Sequence, residues 1–144
     1  MWYGEYIHSL DNKDRFVLPS KFRQQIKSNK IRTFFITRGL DGCLFMFTQD
    51  EWKKMETEFK SLHFTKQQAR FFNRLYFSGA QAVVPDSQGR ILIAGYLKDF
   101  AGIKKDIAII GISNRIEIWD KPRWNEFYEK NRKNFENMAE TIFD

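Results

Sequence analysis

Apolar residues along the chain fall into short runs divided by turn residues, and the same order of runs occurs twice. Phe16-Val17-Leu18 and Ile91-Leu92-Ile93 are β-branched and aromatic in type and predict short buried strands. A brief helix is expected after each. Pro19 suits a first helical turn with Phe22 and Ile26 on one face, and Leu97 and Ala101 do the same in the second copy, which Gly102 ends. Two hairpins come next, Thr33–Thr37 with Cys43–Phe47 and Ile107–Ile110 with Arg115–Trp119, turning at Gly39-Leu40-Asp41-Gly42 and at Gly111-Ile112-Ser113-Asn114. Thr48-x-x-Glu51 is a capping-box signature, and Trp52, Met55, Phe59 and Leu62 then recur at helical spacing. Asp120 caps the equivalent helix, which has Pro122 in its first turn and is expected to bury Trp124, Phe127, Tyr128, Phe135, Met138 and Ile142. Between the copies, Thr65-x-x-Gln68 opens a linking helix that runs through Phe77, with Ala69, Phe72, Leu75 and Tyr76 on one side and Arg70 and Arg74 on another.

The repetition extends to single residues. Asp11-x-x-x-Arg15 recurs 75 residues later as Asp86-x-x-x-Arg90, and Gly39, Leu44, Met46, Phe47 and Trp52 recur 72 residues later as Gly111, Ile116, Ile118, Trp119 and Trp124. In each Asp-x-x-x-Arg the carboxylate can accept backbone N–H groups about two residues on, as an Asx-turn does, and close a tight connection between strands. Asp11, Asp86 and Gly89 are therefore turn-structuring residues, with Gly89 at a position of positive φ that Asp14 tolerates in the first copy. Two such units are too few for a solenoid and must bury their apolar faces against each other. The expected fold is α+β, mainly β: one pseudo-twofold barrel or sandwich made from both halves, with helices outside.

Charge is distributed unevenly between the copies. Residues 1–75 carry 14 Lys and Arg against 8 Asp and Glu, while residues 76–144 carry 10 of each, so the whole excess of +6 lies in the first copy. It is densest in Lys13–Arg38, where eight cations face only Asp14. Such a patch concentrates a polyanion and points to nucleic acid. A membrane partner is not expected, because no run approaches the roughly 20 apolar residues of a span and the basic region lacks a long amphipathic pattern. Met1–Leu10 holds Glu5 and His8 without a long apolar run, so the chain reads as cytoplasmic. One cysteine, Cys43, precludes an internal disulfide, and it reads as a buried small hydrophobe. His8 and His63 have no metal-ligand spacing, and no phosphate-binding glycine loop or nucleophile elbow is present. No cofactor and no metal are expected. The 24 aromatic residues exceed what a small core hides and suggest subunit contacts.

The stretch Gly4-x-Tyr6-x-His8-x-Leu10-Asp11-x-Lys13-x-Arg15-x-x-x-Pro19-x-Lys21-x-Arg23 resembles the opening of the MraZ family of bacterial transcription regulators. Phe77-Ser78-Gly79-Ala80, then Asp86-x-x-Gly89-Arg90-Ile91 and Ile116-Glu117-Ile118-Trp119, resemble its second module. The resemblance implies two SpoVT-AbrB-type swapped-hairpin units, residues 1–64 and 80–144, joined by a linking helix over 65–79. It also implies a ring-shaped homo-oligomer that binds double-stranded promoter DNA at direct repeats, usually as a repressor of the division and cell-wall gene cluster, and so a nucleoid-associated protein without enzymatic activity or a small-molecule substrate. Carried over by position, Lys13, Arg15, Lys21, Arg23 and Arg90 become the DNA-binding residues. The first turn departs from the family in having Asp14 where glycine is common, which sets a negative charge beside Arg15, and Ala94-Gly95 replaces a proline and a small residue. Two other functions are weighed beside this one. The first is an antitoxin-like protein-interaction module of the same β architecture, and the second a hydrolase using Asp11 and Asp86 as a carboxylate pair. For Arg15 and Arg90 the plain structural alternative is an arginine paired with the aspartate of its own turn.

Overall fold

The computed structural model describes residues 1–144. Eight strands alternate with helices in the order β1 (Trp2–Ser9), β2 (Arg15–Val17), α1 (Ser20–Ser28), β3 (Phe34–Arg38), β4 (Leu44–Thr48), α2 (Gln49–Lys60), α3 (Gln67–Ser78), β5 (Gln81–Val83), β6 (Arg90–Leu92), α4 (Gly95–Ala101), β7 (Asp106–Ser113), β8 (Arg115–Asp120), α5 (Lys121–Asn131) and α6 (Phe135–Phe143), with a single 3₁₀ turn at Arg132–Asn134 between the last two helices. The class is α+β with antiparallel pairing.

Strand pairing joins each copy to the other more than to itself. The six-stranded sheet runs β1-β7-β8-β4-β3-β5, and a separate ribbon pairs β2 with β6. The first strand of each copy thus lies beside the third strand of the other, β1 on β7 and β5 on β3. The fourth strands, β4 and β8, meet at the centre. Two further bonds repeat the symmetry at the ribbon, where Leu18 N–H donates to the Gly89 carbonyl at 2.9 Å and Ile93 N–H donates to the Asp14 carbonyl at 2.9 Å. The strands do not close into the expected barrel; β1 and β5 remain as edges of an open sheet, and the ribbon covers one of its faces.

Strand alternation builds two cores from the same strands. Leu44, Met46, Ile107, Ile109, Ile116 and Ile118 face the ribbon and the short helices, where Phe16, Ile91, Phe22 and Leu97 are buried with them. Cys43, Phe45, Phe47, Ala108, Ile110 and Trp119 face the long helices. Both faces are covered, which is why the strands read as unbroken apolar runs. On the second face Trp52 stacks on Phe35 at 5.2 Å and on Tyr76 at 5.6 Å, and Phe59 meets Tyr76 edge-on at 4.9 Å. Thr48 caps α2, its Oγ1 accepting from Glu51 N–H at 3.3 Å, but the box is not completed because the Glu51 carboxylate accepts from Lys54; Asp120 caps α5 through the Arg123 N–H.

Several expectations need correction. Trp2–Ser9, to which the sequence assigns no element, is a full strand, and its Trp2 is buried against Phe22 and Phe34. Gly111 is inside β7 and not in a turn, because β1 crosses there so closely that a Cβ on Gly111 would lie 2.4 Å from Tyr3 N; the chain reverses at Ser113-Asn114 instead. Thr65 does not cap α3, which starts after Lys66 without a side-chain cap, and Leu75 is exposed. The expected long C-terminal helix is broken; α5 and α6 bury no residue fully, and Phe127, Tyr128, Phe135, Met138 and Ile142 are all exposed.

The ribbon belongs to both copies, so it should not melt apart from either. Phe16→Ala is expected to cost about 3–5 kcal/mol and to lower one cooperative transition for the whole chain in calorimetry. Two resolved transitions would show copies that fold independently.

Candidate nucleic-acid interface

Each Asp-x-x-x-Arg turn is closed by its aspartate in the same way. Asp11 Oδ1 accepts the backbone N–H of Lys13 and of Arg15, both at 2.9 Å, and Asp11 Oδ2 accepts Arg15 Nε at 2.9 Å. Asp86 Oδ1 accepts from Gln88 and Arg90 N–H at 2.9 Å each, and Asp86 Oδ2 accepts Arg90 Nε at 2.6 Å. Donation by the backbone N–H of Arg15 and of Arg90 is the first cause that holds both carboxyls below the ordinary carboxylate range, with the guanidinium adding to it. Both oxygens of each aspartate are thereby engaged in closing its own turn. The fourth residue of each turn takes positive φ, +60° at Asp14 and +76° at Gly89.

The register of the ribbon decides where the arginines go. Phe16 opposes Ile91, and both turn inward at 1% exposure. Arg15 opposes Leu92 and Val17 opposes Arg90, so by alternation these four share the outer face, with the two arginines on one diagonal. Each arginine is paired with its own turn through Nε, as the structural alternative anticipated, but its terminal guanidinium nitrogens make no hydrogen bond within the chain. Lys13 lies exposed on the first turn and Lys21 on α1, and neither side chain has a partner in the chain.

The interlaced strands carry side chains of one copy onto the turn of the other. Arg23, on α1, donates through Nε to the Leu18 carbonyl at 3.0 Å and lies against the second-copy turn, where a Cβ on Gly89 would be 2.4 Å from its Cδ. Lys98, 75 residues on and in α4, reaches the first-copy turn and places Nζ 2.7 Å from Asp14 Oδ1. The negative charge at Asp14 is therefore answered by Lys98, and Arg15 is bonded to Asp11 instead. Sequence reasoning missed Lys98. The offset that relates the two turns would have found it, since Arg23 carried forward by 75 is Lys98.

Other candidate chemistry is accounted for locally. Cys43 Sγ donates to the Leu40 carbonyl at 3.2 Å, and burial pushes its thiol well up. His8 Nδ1 lies 2.5 Å from the Val17 carbonyl, on the ribbon. Arg70 Nη1 donates to the Phe64 and Thr65 carbonyls at 3.0 Å. No three His, Cys, Asp or Glu side chains come together in a way that could hold a metal ion. No helix is long and apolar enough to cross a membrane.

The same turn and the same apolar order, repeated and interlaced, define a protein of two related units. The family described as "MraZ protein, putative antitoxin-like" matches the chain twice, over residues 1–75 and 76–144. The chain belongs to the MraZ family.

Both turn carboxyls sit below their unfolded range near pH 3.9, so their contribution to stability is full above that pH and is lost as pH falls through their folded values. Thermal melts across pH 2–7 should fall on the acid side, and Asp11→Asn with Asp86→Asn should both lower the neutral melting temperature and flatten that fall.

Proposed function

We propose that this protein is a sequence-specific, double-stranded DNA-binding transcriptional regulator, acting as a repressor at promoter direct repeats of the division and cell-wall gene cluster. The observation that carries the reading is the diagonal of Arg15 and Arg90 on the solvent face of one ribbon, each fixed through Nε with its remaining donors free. A guanidinium held at one edge can present its other edge to guanine or to a phosphate. Lys13, Lys21 and Arg23 add point charges that set register on the backbone and carry little sequence information. The mechanism is occupancy, without enzymatic turnover. The two interlaced units, 1–64 and 80–144 with 65–79 between them, are read as SpoVT-AbrB-type swapped hairpins, and the protein as cytoplasmic and nucleoid-associated.

Assembly into a ring would set several ribbons along successive DNA boxes, so that weak contacts add through effective concentration. The apolar surface left on α6 supports self-association: Phe135, Ile142 and Phe143 are 72%, 73% and 84% exposed. The same face supports the second reading, an antitoxin-like module that seizes another protein. Native co-purification of a small protein partner in place of DNA would favour it.

If each protomer neutralises about 3–5 phosphates, log affinity should fall with log salt at a slope near about −3 to −5 per protomer. Arg15→Ala should abolish specific binding to the upstream region in a gel shift while folding and assembly are retained. Specific binding that survives the substitution would remove the turn from the interface.

A further inference from the structure

The second copy is neutral in sequence, yet its turn stands in a basic cleft. α1 of the first copy forms one wall of that cleft and the turn Asp86–Gly89 forms the other. Arg23, Lys27 and Arg32 line it, all three exposed and none paired with an acid. The sole acid on the lining is Asp86, whose two oxygens are already taken by Gln88, Arg90 and the Arg90 guanidinium. Three cations against the one carboxylate give the lining a net charge of +2. The backbone amides of Gln88 and Arg90 point at Asp86, so the charged donors on the lining that remain for a ligand are the side chains of α1 and its exit.

The symmetry-related cleft at the first turn is different. It is lined by Lys104 and Lys105 against Asp11 and Asp14, a net of zero. Two places with the same backbone design thus differ in charge, because the first turn adds Asp14, which takes up Lys98, the counterpart of Arg23, and leaves Lys104 and Lys105 against two acids.

Resting on the DNA-binding reading above, we propose that the second-copy turn is a phosphate site in its own right, assembled between the copies, in which Lys27 and Arg32 together with Arg23 hold a backbone phosphate of the DNA beside Arg90. The first-copy charge excess then acts at the second-copy turn. A lysine contributes here as a point charge and an arginine as a fork of donors that a phosphate accepts two at a time. Loss of these cations should weaken binding to all sequences alike, unlike loss of a base contact.

The test uses the full-length protein and duplex DNA from its own upstream region, with a scrambled duplex of equal length. For Lys27→Ala with Arg32→Ala, affinity for both duplexes should drop about tenfold or more near 0.1 M salt, and the salt slope should become shallower by about 1–2 per protomer. Lys104→Ala with Lys105→Ala, at the neutral cleft, should change the slope by less. These four residues are exposed, so the melting temperature should stay unchanged in both variants. An unaltered slope in Lys27→Ala with Arg32→Ala, while Arg15→Ala still loses specific binding, overturns the cleft and spares the proposed function. Absence of DNA binding by the parent protein overturns that function itself. Calorimetric titration with inorganic phosphate at low salt separates the sources: tight binding lost in Lys27→Ala with Arg32→Ala, alongside an unaltered DNA slope, would assign the cleft to a free phosphorylated ligand and overturn the DNA assignment.

Discussion

Everything here depends on the pairing of β2 with β6, three residues from each copy that form a ribbon neither copy can make alone. Backbone donors and acceptors in a buried strand must be satisfied, and a three-residue strand has little else to hold it. Phe16 and Ile91 seal the ribbon onto the sheet, and the mutual bonds of Leu18 with Gly89 and of Ile93 with Asp14 tie each turn to the other copy's strand. From that constraint the outer face follows. Inward Phe16 and Ile91 force Arg15, Val17, Arg90 and Leu92 outward, and the aspartates that close the turns fix the arginines by one edge.

The same constraint redistributes charge. Along the chain the first copy is basic and the second neutral. In space, Arg23 from the first copy covers the second turn, and Lys98 from the second copy meets Asp14 on the first. The left-handed position at each turn tip accommodates a different answer in each copy: glycine under an arginine in one, aspartate paired with a lysine in the other. A one-dimensional count of charge therefore misplaces the basic surface, because interlacing moves it.

Much of the fold was legible from residue types with strong local meaning. Asp11 and Asp86 announced turns, Thr48 and Asp120 announced helix starts, and the β4, β7 and β8 runs announced buried strands. What was not legible depends on contacts across the chain. β1 presents Tyr3, Glu5 and Ile7 to solvent and has β7 as its one strand partner, about 100 residues away in the chain, so its own pattern is mute. Gly111 looked like turn punctuation and serves instead as the point where β1 passes β7. The apolar spacing of Phe135, Met138 and Ile142 predicted burial, yet nothing in this chain covers α6, since helical periodicity specifies an apolar face without saying which surface meets it. Of the candidate interface, the arginines and their turns were readable in place, whereas Lys98, Lys27 and Arg32 gain their meaning only from which turn they reach.

The central claim is that both turns, with α1 across the second of them, form one DNA-facing surface. Hydrogen-exchange mass spectrometry of the intact protein with and without its upstream duplex tests it most directly. The account predicts that DNA slows exchange in peptides covering residues 11–15, residues 86–90 and α1 together. Protection confined to the first turn, or lying elsewhere on the molecule, would contradict it.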